Sequence, residues 1–262
     1  FVVVPCLNEA LAIRGLLEGV LAHCRDVIVI DDGSTDDTVA IVAQMPVTLI
    51  RHPERRGKGE ALRAGFREAL KRGATGVLTM DGDGQHDPAD IPRILAAARQ
   101  FPDAMIIGAR MLERERQPTG RRRANDFADW GISWGCGRPV ADTQSGQRWY
   151  PHAAVELVGL PAQDFVFEAA ILIAASRDLD MPVVSIPIIC RYDDSARHSH
   201  FRPVRDVLRI TWYTFWRVVH YGRVVRSYRA SHDSPPQIYD PGRLLAAPPS
   251  ARLAGAGAPP GE

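Results

Sequence analysis

Short apolar runs that alternate with stretches of helical periodicity constrain this chain more than any other feature. Residues 1–4, 27–30, 47–50, 76–79 and 105–107 read as buried strands. Helical segments fall between them: from Glu9 to about His23, through Val39, Ile41 and Val42, from Gly57-Lys58-Gly59 to about Arg72, and from Ala89 to Phe101. Asn8 stands where it can cap the first helix, with Leu11, Leu16, Leu17, Val20 and Leu21 on its apolar face. Pro5-Cys6-Leu7 is expected to break the first strand. Such an alternation predicts an α/β fold, a mostly parallel sheet flanked by helices and joined by right-handed crossovers. Ligands of such sheets gather beyond the carboxyl ends of the strands. Pro5, the Asp31-Asp32 pair, Asp81 with Asp83, and Gly108-Ala109-Arg110 all follow strand ends, so one rim collects four clusters.

The richest cluster is Met80-Asp81-Gly82-Asp83-Gly84-Gln85-His86-Asp87-Pro88. Asp81 and Asp83, one residue apart on an extended backbone, aim their carboxylates the same way, and Gly82 and Gly84 let the chain bend around them. Oxygen ligands converging from such a turn suit a hard divalent ion, magnesium or manganese, that also holds phosphate oxygens. The competing reading is a polar Asp-Gly turn that merely ends a strand. Asp87 is placed as an N-cap with Pro88 at the first helical position.

Farther along, Met111 to Arg123 is polar and basic and reads as a flap-like loop running into a helix. Asp142 to Arg148 precedes Trp149-Tyr150-Pro151 as a substrate-side loop; residues 165–175 read as a helix carrying Glu168, and 183–189 as a late strand. Residues 203–229 read as one long helix, with Val204, Val207, Leu208, Thr211, Phe215, Val218, Val219 and Val225 on one side and Arg202, Arg205, Arg209, Arg217 and Arg223 opposite. Either the arginines form a solvated face, or they meet anionic lipid with Trp212, Trp216 and Tyr213 at the interface. From Ser231 onward Pro, Ala, Gly and Ser dominate, which predicts a disordered tail. The expected organisation is a domain over 1–202, an amphipathic helix over 203–230 and a tail over 231–262.

Composition adds boundaries. The chain has 262 residues, 45% hydrophobic and 24% charged, with net charge +1, as an ordinary globular sequence has. Cys6, Cys24, Cys136 and Cys190 show no metal or redox spacing and read as reduced thiols of a cytosolic protein. No signal peptide and no uncharged run of membrane-spanning length is present. The chain begins without Met inside an expected strand, which implies a trimmed or upstream N-terminus.

Four stretches together resemble family 2 glycosyltransferases of the GT-A fold: Val4-Pro5-Cys6-Leu7-Asn8-Glu9, Ile30-Asp31-Asp32-Gly33-Ser34-Thr35-Asp36, Gly57-Lys58-Gly59-Glu60-Ala61-Leu62 and Met80 to His86. The resemblance spans about residues 1–200. It is strongest to the polyprenyl-phosphate sugar transferases, such as dolichyl-phosphate mannose synthase, on the strength of residues 81–88, 142–148 and 191–197. It implies that Pro5, Leu7, Glu9, Ile30 and Asp32 line a nucleotide site, Leu7 standing where the dolichyl enzymes often carry Tyr. It further implies that Asp81, Asp83 and Gln85 bind Mg²⁺ or Mn²⁺, with Gly82 letting the backbone approach the donor. Arg110, Arg191 and Arg197 would face donor and acceptor phosphates, and Asp142 would deprotonate or orient an acceptor. Lys58 and Arg148 are secondary candidates; His86 reads as a turn residue and Glu168 as a satisfied helix residue.

The expected activity is inverting, metal-dependent transfer from a UDP- or GDP-sugar to a polyprenyl phosphate. The expected location is cytoplasmic, peripheral at the inner face of the membrane where the 203–229 helix meets lipid, and no nucleic-acid partner is expected. Two other readings stay open: transfer to a saccharide or protein hydroxyl, and a non-catalytic nucleotide-sugar binding module.

Overall fold

The computed structural model describes residues 1–111, 119–188, 190 and 203–240. Its strands are β1 (Val2–Cys6), β2 (Val27–Asp31), β3 (Thr48–Arg51), β4 (Gly76–Thr79), β5 (Met105–Ala109), β6 (Arg148–Pro151) and β7 (Val183–Pro187). Its helices are α1 (Ile13–Leu21), α2 (Thr38–Val42), α3 (Lys58–Lys71), α4 (Ile91–Gln100), α5 (Thr119–Cys136), α6 (His152–Val155), α7 (Val166–Asp178), α8 (Pro203–His220) and α9 (Val224–His232). The described strands form one sheet in the order β3-β2-β1-β4-β6-β5-β7. All pairings are parallel except those of β6, which runs antiparallel to both β4 and β5.

Alternation sorts the side chains. Val3, Ile28 and Ile30 enter a core shared with α3 and α7, while Val2, Val4, Val27 and Val29 enter a second core with α1 and α4. A sheet covered on both faces explains why its strands read as continuous apolar runs. Phe66 of α3 is fully buried between Tyr150, 5.1 Å away centroid to centroid, and Phe167, 6.2 Å away.

Several expectations give way. Pro5 lies inside β1 rather than ending it, because its missing N–H falls on the β4 side, where the pairing already stops at Val3↔Thr79. Asn8 does not cap α1. It takes φ 58°, its Oδ1 accepts from Thr35 N at 2.8 Å, and α1 starts at Ile13 with Leu11 91% exposed. The Ile30 side chain does not line the cavity described below; strand alternation turns it into the core, where its Cδ1 would lie 2.7 Å from a Cβ on Gly65. Arg148, expected at the end of the 142–148 loop, instead opens β6, which runs on through Trp149-Tyr150-Pro151. Asp87 does cap as expected, accepting from Ala89 N at 3.0 Å above a 3-10 turn, Pro88–Asp90.

The C-terminal segment departs most. The single long helix is two helices, separated at Gly222 with φ 66°. On α8 the buried line is Asp206, Ile210, Thr214 and Val218, packed toward α5 and α7, whereas Leu208, Phe215 and Val219 of the expected buried face are exposed. The arginines do not form a free row: Arg205 lines the cavity described below, Arg209 pairs with Asp164 at 2.8 Å and Arg217 with Asp178 at 3.3 Å. Arg202 lies outside the described residues. Residues expected in the tail return to the sheet edge, where Tyr239 N donates to Ser185 O at 2.9 Å and the Tyr239 ring packs on Phe101. Residues 241–262 lie outside the described residues.

Phe66→Ala is expected to lower the unfolding free energy by about 3–5 kcal/mol, read from urea unfolding of the folded chain. A loss below about 1 kcal/mol would contradict the packing described.

Candidate active site

The strand order reverses between β1 and β4, and a cavity of about 450 Å³ opens at their carboxyl ends. Pro5, Leu7, Glu9, Asp32, Asp81, Gly82, Asp83 and Gln85, all expected site residues, line it. Hydrogen bonds lace the strand exits together: Asn8 N donates to Ser34 Oγ at 2.9 Å and Glu9 N to Thr38 Oγ1 at 2.8 Å. Gly82 N donates to Pro5 O at 3.2 Å, and a Cβ at Gly82 would lie 2.8 Å from Cys6 Cβ, so only glycine lets the β4 exit lie against β1.

Asp32 organises the basic wall. Its carboxylate accepts from Gly57 N at 2.7 Å and Arg56 N at 2.9 Å, and lies 2.8 Å from His52 Nδ1. That folds the run Arg55-Arg56-Gly57-Lys58 onto the cavity. Gly57 has φ 96°, and a Cβ there would collide with the Asp164 carboxylate. Arg55 and Arg56 were not anticipated; the signal available was a basic run entering a glycine at a helix start. The far wall is Asp164, Phe165, Arg205 and Asp206, so the first turn of α8 belongs to the site.

At the centre, Lys58 Nζ lies 2.7 Å from Asp81 Oδ1 and 3.1 Å from Glu168 Oε2. Burial would push Asp81 up, but the Lys58 ammonium, aided by His86 and Arg148, outweighs it and holds the carboxyl below its usual range. Burial would likewise lower Lys58; Asp81 and Glu168 outweigh it and raise the ammonium, which stays charged. A Cβ on Gly146 would collide with the Asp81 carboxylate, so glycine admits this arrangement. Asp83 Oδ1 accepts from Gln85 N at 3.0 Å within its own turn. His86 beneath is buried, and burial lowers its imidazole to about 4, leaving it neutral at pH 7.

Among the described residues no three His, Cys, Asp or Glu side chains are grouped closely enough to hold an ion alone. The available donors are the Asp81 and Asp83 carboxylates and the Gln85 amide oxygen on one cavity. An all-oxygen set with few protein ligands fits magnesium or manganese, which take their remaining ligands from water and phosphate.

Arg110 and Asp142 meet each other rather than the cavity. Arg110 Nη2 lies 2.6 Å from Asp142 Oδ1, and Arg110 Nε and N donate to Asp142 Oδ2 at 2.8 and 2.7 Å. Burial would raise the Asp142 carboxyl, yet the hydrogen-bonded Arg110 holds it below its usual range. A carboxylate so held is a weak base; it clamps Arg110. Asp142 takes φ 51°, and Asp129 of α5, another residue unmarked in the sequence, fixes that turn. Asp129 accepts from Asp142 N at 3.2 Å and from Thr143 N and Oγ1 at 2.7 Å each. Arg148 is a buried post, donating to Thr143 O, Ser145 O and Glu168 O at 2.6, 2.7 and 3.2 Å, and so does not reach the cavity. Arg191 and Arg197 lie outside the described residues, as does most of the expected flap, 112–118.

Comparison with known proteins places this geometry. Residues 1–151 match the family described as Glycosyl transferase family 2. UDP-N-acetylglucosamine–dolichyl-phosphate N-acetylglucosaminyltransferase of Methanococcus voltae is 25% identical over 224 residues, 76% of this chain and 89% of that protein. Undecaprenyl-phosphate mannosyltransferase of Micrococcus luteus is 29% identical over 182 residues, 62% of this chain and 70% of that protein. Among solved structures, glucosyl-3-phosphoglycerate synthase from Mycobacterium tuberculosis, in complex with Mn²⁺, UDP and phosphoglyceric acid, superposes with a TM-score of 0.61 at 19% identity, covering 86% of this chain and 77% of that one. The fold is therefore the glycosyltransferase sheet expected.

Burial pushes the Asp129 carboxyl up to about 6, against the hydrogen bonds from Thr143 and with the Asp142 charge adding. A raised folded-state pKa contributes stability that is fully present below the unfolded value of about 4 and is lost as pH rises through about 6. The difference in unfolding free energy between the parent and Asp129→Asn should therefore shrink from about pH 4 to about pH 7. Urea titrations across that range check it, and a difference independent of pH refutes it.

Proposed function

The chain belongs to glycosyl transferase family 2 and is a glycosyltransferase, and from that premise we propose that it carries one sugar from a UDP- or GDP-sugar to a polyprenyl phosphate with inversion at the anomeric carbon. The observation that carries this reading is the single cavity at the β1/β4 reversal, with Asp81, Asp83 and Gln85 on one wall and Arg55, Arg56 and Lys58 on another. Acidic oxygens and cations facing one space suit a diphosphate bound together with a divalent ion. Glu9 and Asp32, at the β1 and β2 exits, are the groups for the nucleoside end.

A magnesium or manganese ion on Asp81, Asp83 and Gln85 would offset the charge of the departing diphosphate. Lys58 keeps Asp81 ionised and aimed at the cavity, as its position between Asp81 and Glu168 supports. The state of Asp142 supports an acceptor that needs no general base. A hydroxyl acceptor needs a general base, and Asp142 is tied into Arg110 on both oxygens. A phosphate monoester, with its second pKa near 6, is already an anion at neutral pH and attacks without one. Its oxygen forms the bond to the anomeric carbon as the bond to the nucleoside diphosphate breaks on the opposite face. Arg191 and Arg197 are the cations assigned to the phosphates, whereas the Arg110 guanidinium is held by Asp142 away from the cavity. The relatives named for dolichyl-phosphate and undecaprenyl-phosphate acceptors support the same class. A lipid-borne acceptor brings the reaction to a membrane surface; no described helix is long and apolar enough to cross one.

Asp81→Ala and Asp83→Ala are each expected to cut sugar transfer roughly 100-fold or more. The assay offers a panel of UDP- and GDP-sugars with undecaprenyl phosphate, reads the lipid product by mass, and reads its anomeric configuration by NMR. Parent-like transfer by either variant removes the metal assignment, and retained configuration removes inversion.

A further inference from the structure

The exposed side of α8 carries large apolar residues where a solvated helix would carry charge. Trp212 is 68% exposed, Leu208 64%, Trp216 54% and Phe215 51%, off the buried line of Asp206, Ile210, Thr214 and Val218. Contiguous apolar exposure of this kind marks an interaction surface. Phe215, 6.3 Å from Trp212, lines one groove with Phe127 and Trp130 of α5, and from α5 the aromatic surface runs on to α9, where Tyr228 lies edge-on to Trp134 at 5.8 Å. Trp134 Nε1 donates to Val224 O at 3.0 Å, which fixes α9 against α5.

The charge of this region selects the occupant. From Val207 to His232 the sequence has no Asp or Glu, and Arg223, just before α9, is exposed together with Arg226 and Arg229 of α9. A twofold pairing with a second copy would set this acid-free cationic face against itself. An anionic bilayer instead meets both parts: tryptophans settle at headgroup depth and arginines pair with headgroup phosphates. An apolar groove of about 210 Å³ between α5 and α8, lined by Trp130, Ile210 and Phe215, is also lined by Gln144, from the turn that carries Asp142. The aromatic surface thus reaches the turn that carries Asp142.

We propose that the exposed side of α8, with α9 and the facing side of α5, is a docking surface for an anionic phospholipid bilayer. Of the arginine face expected from the sequence it keeps Arg223, whereas Arg209 and Arg217 are spent on Asp164 and Asp178. The role deepens the acceptor reading, since it rests on an acceptor that resides in the membrane; the surface itself does not depend on it.

The test sediments the full chain with vesicles of phosphatidylcholine alone or mixed with phosphatidylglycerol. Two variants accompany it, Trp212→Ser with Trp216→Ser, and Arg223→Glu with Arg226→Glu and Arg229→Glu; nucleotide binding by calorimetry serves as the folding control. The parent is expected to sediment with the anionic vesicles and each variant at least fivefold less, with transfer to a short water-soluble polyprenyl phosphate unchanged. Quenching of parent tryptophan emission by brominated acyl chains gives a reading that needs no variant. A parent that stays in solution, variants that sediment like the parent, or emission untouched by the brominated lipid each overturns the proposal. So does a parent dimer that the tryptophan variant dissociates, which would assign the face to a second copy. If vesicle binding follows the expected pattern while no polyprenyl phosphate is glycosylated, the docking surface stands and the acceptor reading falls.

Discussion

The Lys58 ammonium between Asp81 and Glu168 is the contact on which the site's architecture turns. It joins the first turn of α3, the exit of β4 and the buried face of α7, three segments far apart in sequence. A charge taken out of water is tolerated only when its partners come with it, and here each group supplies what another lacks. Lys58 is kept charged by two carboxylates, Asp81 is kept ionised by Lys58, and Glu168 can sit in an otherwise apolar helix because the ammonium reaches it. Removing one member would leave an uncompensated charge at the base of the cavity.

A second clamp follows the same logic with a different result. Asp142 and Arg110 satisfy each other on both oxygens, and Asp129 holds the turn in a backbone conformation that few residues adopt. The outcome is a rigid turn rather than a poised base. That is compatible with the proposed acceptor, a nucleophile that arrives already charged. Arg148 reinforces it from beneath by donating to three carbonyls.

Much of this was legible in the chain. The strands were visible because a sheet buried on both faces needs unbroken apolar runs, and Val27 to Ile30 or Gly76 to Thr79 could serve little else. The rim residues Pro5, Asp32, Asp81 and Asp83 were visible because turn chemistry is written within a few neighbouring positions, and Glu9 was marked only by the family resemblance. Asn8 shows where such local reading fails. Its composition suits a helix cap, but a bond to Thr35, from another strand exit, determines its role. Strand β6 was missed because its neighbours β4 and β5 are remote in sequence, and Arg148-Trp149-Tyr150-Pro151 is too short to announce itself.

Amino-acid order by itself thus determined the class of sheet, the rim where chemistry gathers and the acids upon it, all consequences of burial periodicity and local turn preference. Only the folded chain decided that Lys58 stands between Asp81 and Glu168, that Asp142 is spent on Arg110, and that α8 turns Trp212 and Trp216 outward. Those outcomes depend on which surfaces α5, α7 and the β4 exit present to one another. A helix with apolar residues around most of its circumference cannot specify which side is covered until a partner surface selects one.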